Sequence, residues 1–82
     1  ATYALEYGEA AVEVHVDSFP KGSNVLLLDD LLATGGTAAA AAELIERLGG
    51  RIAEIDFLIE LAFLEGRQKI EKYPVFAPIV FD

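Results

Sequence analysis

Residues 26–44 read LLLDDLLATGGTAAAAAEL, and this stretch decides the predicted fold. It begins within the apolar run VLLLD (25–29), whose unbroken hydrophobicity is typical of a central strand buried on both faces. The run ends in Asp29 and Asp30, a glycine pair follows, and an alanine-rich helix is predicted over residues 37–48. Adjacent carboxylates repel each other, and paired glycines before a helix cost conformational entropy. We therefore expect some feature of the folded protein to compensate for both.

The segments around this stretch predict a strand–helix–strand unit. Gly49 and Gly50 should end the helix, because glycine takes the left-handed C-cap conformation without penalty. RIAEIDFLIE (51–60) is predicted to be a second buried strand, so residues 25–60 form one right-handed βαβ crossover in a largely parallel sheet. The helix is expected to bury an apolar stripe of Ala41, Leu44, Ile45 and Leu48.

The two ends of the chain carry weaker patterns. AVEVHV (11–16) alternates and predicts a strand with one solvated face, and the preceding ALEYG is a candidate hairpin partner. A short helical turn is predicted over residues 66–72, followed by a final strand, VFAPIVF (75–81), interrupted at Pro78. One long helix covers only one face of a parallel sheet. Either the chain dimerises over the second face, or part of the molecule lies outside this sequence.

Composition sets limits on function. The 82 residues are 54% hydrophobic, with a mean hydropathy of +0.39 and a net charge of −8. There are no cysteines, which excludes disulfides and thiolate metal sites. No apolar run approaches the roughly 20 residues that a membrane span needs, and we expect a cytoplasmic protein with no membrane partner. The negative field also disfavours nucleic acid, so an anion would have to be bound by a short-range device.

The LLATGGT loop offers such a device. It leads into a helix N-terminus, where free backbone N–H groups and the helix dipole favour an anion. Gly35 and Gly36 allow close approach of the backbone, and Thr34 and Thr37 add hydroxyl donors. No Lys or Arg occurs in residues 22–46, so a phosphate would be held by backbone dipoles alone.

The position of the acid pair suggests the rest of the ligand. The loop matches neither the Walker A nor the G-x-G-x-x-G pattern. Carboxylates at Asp29 and Asp30 could accept hydrogen bonds from the 2′ and 3′ hydroxyls of a ribose 5-phosphate whose phosphate lies in the loop. Alternatively, the aspartates simply cap a turn that the glycines permit. The residues by themselves leave both interpretations open.

The full string VLLLDDLLATGGTA (25–38) resembles the phosphoribosyl pyrophosphate signature of type I phosphoribosyltransferases, and LLATGGT is closest to the adenine-specific members. YALEYG (3–8) resembles their mobile active-site loop, and its LEYG favours adenine over hypoxanthine, orotate or uracil relatives. LIELAFLEGR (58–67) is similar to the segment after the next strand, and residues 74–81 to the C-terminal strand. The resemblance therefore covers essentially the whole chain.

The resemblance implies a role for each matching residue. Asp29 and Asp30 would hold the ribose hydroxyls, and Leu61 would lie against the purine ring. Glu6 would be the catalytic acid of the mobile loop, and Tyr7 would help to close that loop. The 5′-phosphate would be surrounded by Ala33, Thr34, Gly35, Gly36 and Thr37.

The resemblance also implies a reaction and partners. Adenine and phosphoribosyl pyrophosphate would give AMP and pyrophosphate in a homodimeric enzyme. Mg²⁺ would be carried by phosphoribosyl pyrophosphate, with no direct protein ligand and with Asp29 and Asp30 as indirect partners at most. Residues 1–82 would be the C-terminal portion of the domain, lacking the N-terminal half with its purine-binding hood, and inactive alone. The alternatives are another purine phosphoribosyltransferase or a non-catalytic regulator that binds phosphoribosyl pyrophosphate.

Three further expectations concern single residues or faces. His15 lies on the polar side of its strand and is interpreted as solvated. Arg67 is expected to be a structural ion-pair partner. Glu54, Asp56, Leu58 and Glu60 share one parity, which predicts a solvated or interface-facing side of their strand.

Overall fold

The computed structural model describes residues 20–82 in full and residues 2–7 and 10–15 by their backbone alone. The latter form strands β1 (Thr2–Tyr7) and β2 (Ala10–His15). The side chains of Glu6, Tyr7 and His15 lie outside the described residues. The predicted hairpin and mobile loop fall in the same region and stay predictions.

A parallel βαβ unit organises the described part of the chain. Strand β3 (Asn24–Leu32) is followed by helix α1 (Gly36–Arg47) and strand β4 (Arg51–Leu61), and β3 pairs with β4 in parallel. Strand β3 runs beyond its predicted end at Asp29, because β4 is long enough to offer partners as far as Glu60, which lies opposite Leu32. Asp29 and Asp30 therefore lie within β3 rather than after its end.

The C-terminal residues complete the sheet. Short 3-10 helices over Ala62–Leu64 and Gly66–Ile70 replace the single helical turn that was predicted. Strands β5 (Val75–Phe76) and β6 (Ile79–Phe81) then both pair with β4 in parallel. The predicted interruption of the last strand is confirmed, and β4 is the central strand of this sheet.

Helix α1 packs on one face of the sheet through its small residues. Of the predicted stripe, Leu44 and Ile45 are buried, whereas Ala41 and Leu48 are only half-buried. Alanine side chains let the helix lie close to the sheet, where bulkier residues would overpack. The contact therefore centres on the alanine run, and the core cluster consists of Leu32, Ala38, Ala39, Ala42, Ile55, Phe57 and Ile70.

The opposite face of the sheet is open among residues 20–82. Leu26, Leu28 and Leu58 are 52%, 68% and 63% exposed. The prediction that residues 25–29 are buried on both faces is therefore wrong, because Val25 and Leu27 are only half-buried and β3 is an edge strand of the sheet that the described residues form. Residues 20–82 thus leave the second face of the sheet uncovered, as the sequence predicted.

No helix in the described part of the chain is both long enough and apolar enough to cross a bilayer.

Candidate functional site

A cleft of about 260 Å³ opens at the carboxyl end of β3. Residues that the sequence predicted to bind a sugar phosphate come together in its wall, namely Asp29, Asp30, Ala33, Thr34, Gly35 and Thr37. Apolar side chains of Leu31, Leu32 and Phe57 contribute the remainder together with Ala38. Gly36 does not line the cleft and is buried in the first turn of α1. The structure thus brings the acid pair and the loop to one concave surface.

The helix N-terminus in this cleft is open. Gly35 is the N-cap residue of α1, with φ 86° and ψ −5°, and its carbonyl accepts a 2.9 Å hydrogen bond from Ala39 N–H. Among residues 20–82, no side chain caps the terminus by a hydrogen bond, and the first turn carries no acid. The first N–H groups of a helix have no intrahelical acceptor. Residues 33–37, here called the 33–37 segment, can therefore offer backbone donors to an anion.

The carboxylate of Asp29 interacts with both the backbone and the side chain of Asp30. Asp30 N–H donates a 2.8 Å hydrogen bond to Oδ1 of Asp29. Partial burial raises the pKa of Asp29 above its ordinary value, and the neighbouring Asp30 carboxyl raises it further, while the Asp30 N–H opposes the shift. Asp29 is exposed at the cleft, so its carboxylate is accessible to a ligand. A ligand with vicinal hydroxyls would supply hydrogen-bond donors to it.

Gly66 lies behind the wall of the cleft, and the sequence reasoning missed its contact with the loop. A Cβ on Gly35 would overlap the carbonyl oxygen of Gly66, so the two backbones are in direct contact. The glycine at position 35 was predicted for approach to an anion, but packing against Gly66 requires it as well. The available signal was Gly66 itself, the one glycine at the start of the predicted 66–72 turn.

A larger cleft of about 670 Å³ continues from the same aspartates along the open sheet face. Leu28, Asp56 and Leu58 contribute to its wall. Asp56 Oδ1 is buried and has no hydrogen-bond partner among the described residues. A hydrogen bond with Asp56 and the repulsion between the two acids raise the pKa of Glu54. Asp56 Oδ1 thus lacks a donor within residues 20–82.

The prediction that the even-numbered residues 54–60 of β4 form a solvated or interface-facing side is only partly right. Leu58 is exposed, but Glu60 is 6% exposed. Burial of Glu60 is possible because Arg67 donates from Nε to both of its carboxylate oxygens at 2.9 Å. The predicted role of Arg67 as an ion-pair partner is confirmed.

Leu61, like Gly36, is a predicted site residue that lines neither cleft. It ends β4, opposite Phe81 of β6.

The described residues contain no cluster of three or more His, Cys, Asp or Glu side chains that could hold a metal ion. The donor set at the cleft is the carboxylate pair of Asp29 and Asp30. Such a pair fits Mg²⁺ that brings its own waters and ligand phosphates, which is the usual manner of magnesium binding in phosphate-transfer sites.

Parallel strands, a crossover helix and a cleft at their carboxyl edge define the class of α/β proteins that receive ligands at strand ends. The particular family follows from comparison with known proteins, because residues 4–80 match the model of the phosphoribosyl transferase domain. The chain belongs to this family, and the resemblance found in the sequence is confirmed.

Individual relatives agree in sequence and fold. An adenine phosphoribosyltransferase of Flavobacterium johnsoniae is 56% identical over 81 residues, which are 99% of this chain and 48% of that protein. The crystal structure of adenine phosphoribosyltransferase from Thermoanaerobacter pseudethanolicus matches with a TM-score of 0.90 at 46% identity, covering 99% of this chain and 48% of that one. The predicted α/β fold with a largely parallel sheet is confirmed.

A third relative was solved with ligands. The adenine phosphoribosyl transferase of Trypanosoma brucei, in complex with AMP, pyrophosphate and ribose-5-phosphate, matches with a TM-score of 0.79 at 29% identity. That match covers 98% of this chain and 40% of the other. The present chain spans about half the length of the curated relatives it matches.

Proposed function

We propose that this chain forms part of an adenine-salvage enzyme. The whole protein transfers the 5-phosphoribosyl group from phosphoribosyl pyrophosphate to adenine, giving AMP and pyrophosphate. The observation that carries the proposal is the shared cleft of the acid pair and the open helix N-terminus. The similarity to the adenine phosphoribosyltransferases of Flavobacterium johnsoniae and Trypanosoma brucei supports the choice of adenine.

The binding roles follow from the chemistry of the cleft wall. Asp29 and Asp30 accept hydrogen bonds from the ribose 2′ and 3′ hydroxyls, since both carboxylates are exposed in the cleft wall. The 5′-phosphate lies at the 33–37 segment, against backbone N–H groups and the hydroxyls of Thr34 and Thr37. Both parts of the ligand fit because the two groups of residues line the same small cleft.

The chemical step needs stabilisation of positive charge at C1′. Departure of pyrophosphate gives that carbon the character of an oxocarbenium ion, and the neighbouring carboxylates of Asp29 and Asp30 suit the developing charge. Glu6 handles the proton at the purine or at the leaving pyrophosphate, and Tyr7 helps to close the loop over the site. Leu61 packs against the purine. These last three roles rest on the resemblance of the YALEYG and LIEL segments to the family.

The assembly and setting belong to the same proposal. Mg²⁺ arrives on phosphoribosyl pyrophosphate and meets Asp29 and Asp30 at most through ligand oxygens or water. The whole enzyme is a cytoplasmic homodimer. These 82 residues correspond to the C-terminal portion of the domain and do not turn over substrate alone.

A chimaera tests the proposed reaction. This chain replaces the segment that it matches in the Flavobacterium johnsoniae protein, and AMP formation is followed continuously with phosphoribosyl pyrophosphate and Mg²⁺. We expect turnover of adenine, which shows that this chain can complete the phosphoribosyl site, while the purine-binding hood is that of the Flavobacterium johnsoniae protein. Loss of all AMP formation in a folded chimaera would contradict the proposal. Tight binding of phosphoribosyl pyrophosphate without turnover of any base would indicate a regulator.

Two variants of the chimaera test the residue roles. Asp29→Asn with Asp30→Asn should lower kcat/KM by at least about 100-fold, because the carboxylates act on charge that develops in the transition state. Glu6→Gln should lower kcat much more than it weakens AMP binding. Equal effects of Glu6→Gln on turnover and affinity would argue for a simple binding role. AMP formation by the isolated 82-residue chain would refute its predicted inactivity.

A further inference from the structure

We infer that the 65–67 segment is a support that fixes the 33–37 segment in its ligand-binding conformation, with Gly66 as the positioning residue. The inference deepens the proposed function and rests on it for the identity of the ligand. Its structural part, the dependence of one segment on the other, stands on contacts alone.

The two segments meet backbone to backbone. A Cβ added to Gly66 would overlap the carbonyl oxygen of Ala33 and come within 3.1 Å of the Gly35 nitrogen and 3.0 Å of Leu32 Cδ1. A Cβ added to Gly35 would in turn overlap the Gly66 carbonyl. Both glycines are buried. Gly66 therefore fills the space directly behind the binding segment, and no larger residue fits there.

The support is anchored independently of the binding segment. Arg67 pairs with Glu60 of β4, with Nε at 2.9 Å from both carboxylate oxygens and a terminal nitrogen at 2.8 Å from Oε1. A guanidinium nitrogen also donates to the carbonyl of Val75 in β5 at 3.2 Å. Three residues further on, Ile70 is fully buried in the core. The 65–67 segment is thus tied to two strands and to the core.

The conformation of the support is itself restricted. Glu65 has φ 55° and is the non-glycine residue with positive φ in the described part of the chain. Its N–H donates a 3.0 Å hydrogen bond to the carbonyl of Ala62, and its own carbonyl accepts one from Gln68 at 3.2 Å. A non-glycine residue persists in this conformation when its surroundings over-determine it. The Arg67–Glu60 pair and these bonds supply that restraint.

Binding sites gain affinity when their backbone is already held in the bound geometry. The 33–37 segment contains two glycines, which would make it flexible if nothing lay behind it. Contact with Gly66 removes that freedom. This answers the question posed by the glycine pair, since packing against the 65–67 segment compensates for its entropy before any ligand arrives.

The test compares Gly66→Ala with Gly22→Ala in this chain, by amide hydrogen exchange and by calorimetric titration with ribose 5-phosphate. Gly22 is a suitable control because it lies in a turn with open space around it. In Gly66→Ala we expect exchange in the 33–37 segment to rise and the Kd for ribose 5-phosphate to weaken, each by about tenfold or more. Gly22→Ala should leave the Kd unchanged and should not raise exchange in the 33–37 segment above that of the rest of the chain. Unchanged exchange in a folded Gly66→Ala protein would overturn the inference.

A second pair of variants keeps the test decisive if Gly66→Ala does not fold. Arg67→Met releases the anchor without adding bulk, and Arg67→Lys retains the charge but not the two-pronged geometry. Exchange in the 33–37 segment should rise for Arg67→Met and recover partly for Arg67→Lys. A rise in exchange that is no larger in the 33–37 segment than in the rest of the sheet would mean mere destabilisation and would contradict the inference. If the unmodified chain fails to bind ribose 5-phosphate, the proposed function fails, whereas the exchange data still decide the support role.

Discussion

The Nε atom of Arg67 lies 2.9 Å from both carboxylate oxygens of Glu60, and the Glu60 side chain is only 7% exposed. The hydrogen bond to Glu60 and the negative charge of that carboxylate raise the pKa of Arg67 above its ordinary value. The pair joins β4 to the segment behind the candidate site. It is the ion pair with the least exposed carboxylate among those of the described residues.

Removal of Arg67 should therefore be costly. Arg67→Met leaves Glu60 buried without its partner, and we expect the free energy of unfolding in urea to fall by about 2 kcal/mol. The matched control is Arg47→Met. Arg47 pairs with Glu43 at 2.8 Å, but the two side chains are 61% and 39% exposed. The control should change stability by no more than about 0.5 kcal/mol. Similar losses in the two variants would mean that burial of Glu60 contributes nothing.

Asp29 should show a conflict between stability and function. Its pKa is raised by burial and by Asp30 above the ordinary 3.8. The folded protein therefore binds this proton more readily than the unfolded chain does. The stability associated with Asp29 is present below pH 3.8 and is lost as the pH rises through the folded pKa.

Asp29→Asn should thus be more stable than the unsubstituted chain at pH 7, and this advantage should shrink towards pH 3. Thermal unfolding of both proteins across that range measures the difference. The same variant should weaken binding of ribose 5-phosphate by about tenfold, because one carboxylate acceptor is lost. Glu71→Gln removes a negative charge from an exposed residue outside the cleft and serves as the control. Stability that falls at pH 7 without any loss of binding would contradict both expectations.

Two of the three positive-φ glycines in the described part of the chain, Gly22 and Gly35, offer a direct comparison. Their φ angles are 84° and 86°, so alanine meets the same backbone strain at each. Gly22 has nothing within 4 Å of an added Cβ, whereas Gly35 faces the Gly66 carbonyl. Gly22→Ala should cost about 1 kcal/mol of unfolding free energy. Gly35→Ala should cost at least about 2 kcal/mol more, since the backbone of residue 66 must move. Equal costs would show that the contact is easily relaxed.

Tyr73 links the C-terminal segment to α1. Its hydroxyl donates a 2.5 Å hydrogen bond to Oε1 of Glu46, and Lys72 Nζ lies 5.2 Å from the centre of its ring. Burial, followed by the hydrogen bond to Glu46, raises the pKa of Tyr73 above 10.0.

Tyr73→Phe should therefore lower the unfolding free energy by about 1 kcal/mol at neutral pH. Because the folded pKa is raised, the contribution of Tyr73 is full below pH 10.0 and is lost as the pH rises through the folded value. The difference between the two proteins should consequently shrink in alkaline urea titrations. A difference that grows above pH 10 would refute the assigned shift.

Local patterns were sufficient to predict the central unit of the fold. The apolar run before Asp29, the alanine-rich helix and the glycine stop after Leu48 specify a parallel βαβ unit, because each is a short-range signal. The end of β3 was placed too early, since strand length depends on its partner β4 and not on β3 itself. The buried face of α1 differs from the predicted apolar stripe for a similar reason. Small alanine side chains let the helix pack closely along a face that hydrophobicity alone does not identify.

The site was predictable as far as it is contiguous in sequence. Asp29, Asp30 and the loop through Thr37 all lie within nine residues of one another, and the structure brings them to one cleft. The contribution of Gly66 was not predictable, because it depends on a contact between segments 31 positions apart. The sequence predicted that Arg67 forms an ion pair but did not identify Glu60 as its partner. The burial of Glu60, which makes the pair important for stability, depends on the fold.

The most direct test of the central claim is a titration of the isotope-labelled chain with ribose 5-phosphate, observed through its backbone amide resonances, with ribose as the phosphate-free control. If the cleft binds a sugar phosphate, the amides of Gly35, Gly36 and Thr37 should shift saturably with ribose 5-phosphate and stay unchanged with ribose. Resonances of Asp29 and Asp30 should shift with them. No saturable shift in the 33–37 segment, or shifts confined to other parts of the chain, would contradict the assignment of this cleft.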